Sequence, residues 1–194
     1  MTKAFVTGAT GYVGREVVRL LVENGVETIA HVRPDSSSLE SWRGRFSELG
    51  ARVDATAWDE EAMAATLGRE APDLVFCLIG TTKARMKGAG EESYETVDYG
   101  LTALLVRAAG SIEGRPRFVY LSAMGVKAGS KLAYYQARYK AEQAVITSGL
   151  PYIIARPAMI TGPDRDEARR AERMAGVVGD ALLGVAAVFG GRAL

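Results

Sequence analysis

KAFVTGATGYVG, residues 3–14, carries the strongest structural signal in this chain. Lys3–Thr7 reads as a buried strand that ends at Gly8. Over Tyr12–Asn24, Val13, Val17, Leu20 and Leu21 recur at helical spacing, and Gly25 stops the helix. Three glycines, Gly8, Gly11 and Gly14, lie between strand and helix. Gly8 suits a tight turn. Gly11 lets the backbone approach a pyrophosphate with no Cβ in the way, and Gly14 lets the helix lie close to the sheet. The helix N-terminus would then offer N–H groups and a partial positive charge to phosphates. This setting predicts dinucleotide binding; the alternative is a glycine-rich turn with no ligand.

The rest of the chain repeats the alternation. Strands are expected at Glu27–Val32, Gly50–Val53, Leu74–Ile79, Arg117–Leu121 and Tyr152–Ala155. Helices are expected at Asp59–Leu67, Glu91–Ala109, Ala133–Thr147 and, by propensity, Asp164–Ala175. Residues 34–48 read as a loop holding at most a short helix, and Thr81–Gly90 as a flexible basic loop with Lys83, Arg85 and Lys87. Apolar strands alternating with helices build a mostly parallel sheet covered on both faces. The expected fold is α/β, a Rossmann-like doubly wound sheet in strand order 3-2-1-4-5-6. Residues 1–194 are read as one domain, with no separate substrate domain.

The cofactor type is read at the end of the second strand. An Asp or Glu there would bind the ribose hydroxyls of NAD. The sequence instead gives His31, Val32, Arg33, Pro34 and Asp35. Arg33 can pair bidentately with a 2′-phosphate, which favours NADP over NAD. Asp35 falls two residues late. Asp54, just after the third strand, can accept from an adenine amino group or serve as an ordinary loop carboxylate. His31, the single histidine, is read as a strand residue near the pocket rim.

Composition excludes several classes. With 24 Lys+Arg against 23 Asp+Glu the net charge is +1, so nothing suggests a nucleic-acid partner. One cysteine, Cys77, and one histidine exclude an internal disulfide and make a Cys/His metal site implausible. The N-terminus enters a strand almost at once and shows no secretory signal. No run of about 18 apolar residues predicts a membrane span. Cysteine usage fits a reducing compartment, and a cytoplasmic setting is expected. The apolar stretch Ala175–Gly191 reads as a buried helix or the face of a homodimer.

Five segments then fall in one order: TGATGYVG at 7–14, LIGTT at 78–82, YLSAMG at 120–125, YKAE at 139–142 and RPAMITGP at 156–163. Together they resemble the short-chain dehydrogenase/reductase superfamily, specifically its atypical NAD(P)-binding branch. LIGTTKARMKGAG and YETVDYG are similar to Tat-interacting-protein-like oxidoreductases and the related epimerase-like proteins. The resemblance covers residues 3 to about 170. It implies cofactor contacts from Gly8, Thr10, Gly11, Tyr12, Val13, Gly14, Arg33, Asp54, Gly80, Thr81, Ser122 and Lys140, and from the Arg156–Ala158 turn with Pro157 and Ala158. Partly independent of it, Gly80 and Thr81 follow the fourth strand beside the point where sheet order reverses.

The superfamily works through a serine, a tyrosine and a lysine, the last two four residues apart so that they share a helix face. By this resemblance Ser122 and Lys140 take the serine and lysine roles. The tyrosine departs from the pattern, because Gln136 stands four residues before Lys140. An amide can donate a hydrogen bond but cannot act as the acid. Tyr135 stands five residues before, rotated roughly 140° from Lys140. It is the candidate acid, with Tyr134 and Tyr139 as packing neighbours. Two functions follow from this. One is an NADP-dependent oxidoreductase of carbonyl or alcohol substrates. The other is an NADP(H)-binding protein that regulates a partner with little turnover.

Overall fold

The computed structural model describes residues 1–81, 93–158 and 160. In chain order the elements are β1 (Lys3–Thr7), α1 (Tyr12–Glu23), β2 (Glu27–His31), α2 (Leu39–Leu49), β3 (Arg52–Asp54), α3 (Glu60–Glu70) and β4 (Leu74–Cys77). They continue with α4 (Tyr94–Leu101), α5 (Thr102–Ser111), β5 (Arg117–Leu121), α6 (Ala133–Thr147) and β6 (Tyr152–Ala155). The six strands form one sheet in the order β3-β2-β1-β4-β5-β6, as expected. Every neighbouring pair is parallel.

Alternation along the strands supplies both layers, since successive side chains point to opposite faces. Phe5, Val75, Cys77, Phe118 and Tyr120 face one core, with Met63 and Leu67 of α3, Leu105 and Val106 of α5, and Ala141 and Val145 of α6. Ala4, Val6, Leu74 and Phe76 face the other, with Val17, Val18 and Leu21 of α1 and Phe46 of α2. Burying a side chain such as Phe118 or Leu21 contributes about 1.5–3 kcal/mol. The central strand β4 is buried throughout, whereas the edge strands β3 and β6 are partly exposed. Chain order progresses outward to opposite edges of the sheet from β1 and from β4, so the loops after these two parallel strands open a crevice between them.

Three expectations shift. The stretch expected as a loop over 34–48 instead holds most of an eleven-residue helix, α2, which runs on to Leu49 and is anchored by buried Phe46 with Trp42 stacked on it at 5.3 Å. Polar residues around that two-aromatic stripe masked its period. The third strand starts at Arg52, because Gly50 caps α2 in the left-handed region at φ 91°. The long helix begins at Tyr94, and its first eight residues are π-helical before α5 continues them. Ser93 and Thr96 close a reciprocal capping box there. Nearly all of the basic loop, the helix expected at Asp164–Ala175 and the apolar Ala175–Gly191 stretch lie outside the described residues. Among the described residues no helix is long and apolar enough to cross a membrane.

Candidate functional site

The tips of β1, β2, β4, β5 and β6 bring most of the expected site residues to one end of the sheet. At the first tip Gly8 has φ +73°, and a Cβ there would lie 2.6 Å from the Leu78 carbonyl oxygen. A Cβ on Gly14 would collide with the Gly8 carbonyl oxygen. Both glycines are therefore demanded by the protein's own packing. Gly11 is different. Its φ of −70° is open to any residue, and it caps α1 with no side-chain hydrogen bond. Its Cβ would meet only the Gly8 oxygen, at 3.2 Å. The bare N-cap leaves a cradle that a side chain would fill, which fits a diphosphate drawn to the helix end. Thr10, Tyr12 and Val13 are half-buried in this turn.

At the β2 tip Arg33 is exposed, its Nε 3.7 Å from Asp35 Oδ1. Asp54 lies opposite His31 in the β2–β3 register. Its Oδ1 accepts from the Thr56 N–H at 2.9 Å, so part of the carboxylate serves its own turn. His31 is buried, with Nε2 2.7 Å from the Thr56 carbonyl oxygen and the ring edge-on to Trp58. Burial holds its pKa below the usual histidine value, against the opposing pull of Thr56 and Asp54.

At the β4 tip the Gly80–Thr81 turn rests on two buried charges. The Thr81 N–H donates to Asp98 Oδ2 at 3.0 Å. Arg138 donates from Nη2 to the Ile79 carbonyl at 3.2 Å, and from Nη1 to the Leu121 carbonyl at 2.6 Å and the Tyr120 hydroxyl at 3.2 Å. Arg138 Nη2 lies 2.9 Å from Asp98 Oδ1, close enough for an ion pair but poorly aligned. Asp98 Oδ1 and Arg138 Nε accordingly have no hydrogen-bond partner among the described residues. Burial pushes the Asp98 carboxyl up, against the pull of Arg138 and Thr81. A Cβ on Gly80 would collide with the Arg138 guanidinium, so this glycine makes room for a cation.

At the β5 tip buried Ser122 donates its hydroxyl to Glu142 Oε1 at 2.6 Å. Arg156 closes on the same carboxylate, Nε to Oε1 at 2.8 Å and Nη2 to Oε2 at 2.6 Å. Backbone bonds from Ser122 N to Ala155 O and from Met124 N to Pro157 O place Pro157 and Ala158 beside this network.

The helix α6 settles where the other candidates lie. Its buried residues Ala137, Arg138, Ala141, Glu142 and Val145 form one inward stripe. Lys140 falls between those positions and faces out, its Nζ 2.6 Å from Glu95 Oε1 and over the Tyr99 ring. It is not brought to Ser122. The Tyr135 ring lies against Gly125, 3.7 Å from where a Cβ would stand. Tyr134 sits four residues before Arg138, and that guanidinium lies 5.5 Å from its ring centroid. The spacing that the resemblance asks for is thus met by Tyr134 and Arg138, with arginine where lysine was expected. Sequence reasoning missed this pair because it looked only for lysine. It also missed Glu142, although the YKAE motif contains that residue.

Known proteins give the same direction. A family model described as NAD(P)H-binding matches residues 8–182. A mitochondrial FMP52 protein of Debaryomyces hansenii is 30% identical over 162 residues, 82% of this chain and 67% of its own length. Divinyl chlorophyllide a 8-vinyl-reductase, chloroplastic, of Oryza sativa subsp. indica is 36% identical over 173 residues, 80% of this chain and 39% of its own length. The Bordetella bronchiseptica enzyme WbmH, solved in complex with NAD+, superposes with a TM-score of 0.66 at 19% identity, covering 87% of this chain and 59% of that one. This chain therefore spans well under two thirds of the last two. FMP52 relatives from other fungi are also named mitochondrial. These relatives overturn the expected cytoplasmic setting; cysteine usage reports redox conditions, which several compartments share. With the family model matched from the glycine turn onward, over residues 8–182, the chain belongs to the NAD(P)H-binding family.

Proposed function

We propose that this chain is an NADP-dependent oxidoreductase acting on a carbonyl or alcohol. The bare N-cap at Gly11 carries this reading, because a Cβ there would meet one carbonyl oxygen at 3.2 Å, a milder conflict than at Gly8 or Gly14, and would cover the N–H groups that a diphosphate approaches. Arg33, exposed at the β2 tip, is the residue assigned to a 2′-phosphate. The reductase name of the rice relative supports redox chemistry. When bound, the dinucleotide supplies hydride transfer. The chain holds the diphosphate at Gly8–Gly14, lines the far half of the crevice with Gly80, Thr81, Pro157 and Ala158, and offers a phenol from Tyr134 or Tyr135 for the proton.

A second reading, an NADP(H)-binding regulator with little turnover, is supported by the chemistry at Ser122 and Lys140. The serine proton already goes to Glu142, and the lysine is paired on the surface. Titration with NADPH and NADH, followed by a carbonyl panel monitored through NADPH absorbance, tests both. Binding with turnover that is lost in Tyr134→Phe or Tyr135→Phe is expected for the oxidoreductase. Binding without turnover across the panel would favour the regulator, and no binding of either nucleotide would remove both.

A further inference from the structure

Arg138 is a buried cation with more work than a strand-end staple needs. It reaches the Ile79 carbonyl at the end of β4, the Leu121 carbonyl at the end of β5 and Asp98 on α4. Asp98 in turn holds the Thr81 N–H. The two residues meet on either side of Gly80, whose missing Cβ is the space the guanidinium fills. The β4–β5 ladder ends at the Cys77–Tyr120 pair, and Arg138 ties the Ile79 and Leu121 carbonyls together just past it.

We propose that Arg138 and Asp98 act as a coupled positioning pair that sets the Gly80–Thr81 turn for the nicotinamide half of the dinucleotide, and that the two terminal nitrogens of Arg138 serve protein groups instead of contacting the cofactor. The inference rests on the dinucleotide reading above. A guanidinium has five donors in a fixed fork; here three hydrogen bonds and the ion pair to Asp98 occupy its two terminal nitrogens, while Nε is buried with no hydrogen-bond partner among the described residues. A lysine at this position has one nitrogen, which cannot span carbonyls from two strands and a carboxylate in the same fork geometry. Arginine in the expected lysine position thus exchanges a cofactor contact for rigidity beneath the cofactor.

The geometry also separates the two halves of the ligand. The Gly8–Gly14 turn and Arg33 lie at the tips of β1 and β2, whereas the pair acts on the tips of β4 and β5. Loosening the pair should weaken a whole dinucleotide and spare its adenosine fragment.

The test uses the full chain and whichever of NADPH and NADH binds more tightly, with 2′,5′-ADP or ADP as the matching fragment. Arg138→Lys is expected to weaken the whole dinucleotide by about tenfold while leaving fragment binding unchanged. Asp98→Asn is expected to do the same, and Arg138→Lys/Asp98→Asn to lose less than the product of the two single effects. Should Arg138→Lys fold poorly, Asp98→Asn alone provides the same fragment comparison. Equal loss for dinucleotide and fragment, multiplicative single effects, or unchanged binding in the variants would overturn the pairing. Failure of the unsubstituted protein to bind either dinucleotide would instead remove the reading beneath it, and the inference with it.

Discussion

Ser122 Oγ and Glu142 Oε1 stand 2.6 Å apart, joining the tip of β5 to the middle of α6 inside the protein. The carboxylate is almost wholly buried, and its only cation among the described residues is Arg156, whose side chain is half exposed. Serine and arginine therefore contribute differently. Ser122→Ala removes one donor from a carboxylate that keeps its ion pair, at about 1–2 kcal/mol. Arg156→Ala leaves a buried charge unpaired, at about 3–5 kcal/mol. Urea unfolding of the two variants is expected to rank them in that order.

The three glycines of the first turn should separate cleanly. Gly8→Ala and Gly14→Ala force a Cβ onto backbone, Gly8 at a positive φ as well, and both are expected to cost more than about 2 kcal/mol. Gly11→Ala meets one carbonyl oxygen at 3.2 Å and should keep the fold within about 1 kcal/mol. Its dinucleotide affinity should nevertheless fall by at least about tenfold, since one poorly satisfied charged contact is worth that much. Thermal melts beside nucleotide titrations give both quantities from the same samples.

Arg33→Ala is expected to erase a preference for NADPH over NADH while leaving NADH binding nearly level. Loss of a charge-assisted contact to a 2′-phosphate corresponds to about 1.5–3 kcal/mol. The ratio of the two dissociation constants is the measurement. Its salt dependence should also flatten, because Arg33 is exposed and screened.

His31 gives a pH signature. Burial lowers its pKa in the folded protein, so below the ordinary value of 6.5 the unfolded chain takes up a proton that the folded chain refuses. Its contribution is thus present above pH 6.5 and is lost as pH falls from there towards the lowered folded value. Denaturation midpoints of His31→Gln should show a shallower decline across this window than the unsubstituted protein.

Lys140 offers the sharpest contrast within α6. Its pair with Glu95 is half exposed on both sides and is worth at most about 1 kcal/mol. Lys140→Met is expected to leave melting and dinucleotide affinity close to unchanged. A tenfold loss of affinity would return Lys140 to the site.

Much of this architecture was legible in residues 3–25, where strand, glycines and helix each carry a local signal that burial then reinforces. Alternation of apolar strands and helices pointed to the parallel sheet, and the Rossmann-like resemblance implied its strand order. What local pattern could not give was the inward face of α6. Tyr134, Tyr135, Tyr139, Arg138 and Lys140 share one short stretch, and their chemistry alone does not say which side meets the sheet. The small residues Ala137 and Ala141 mark that side, but they look inert in a sequence. Arg138 was invisible for the same reason that Gly80 looked like a simple cofactor glycine: the two positions explain each other only once β4 and α6 are side by side.

The collision built into Gly80 has an evolutionary corollary. An alanine can be inherited there only in a lineage that has already shortened or redirected residue 138, and a neutral residue at 138 strands the carboxylate at 98 in the interior. Substitutions at 80 and 138 should therefore travel together among descendants of this chain, with an alanine at 80 disfavoured wherever a full-length arginine remains at 138.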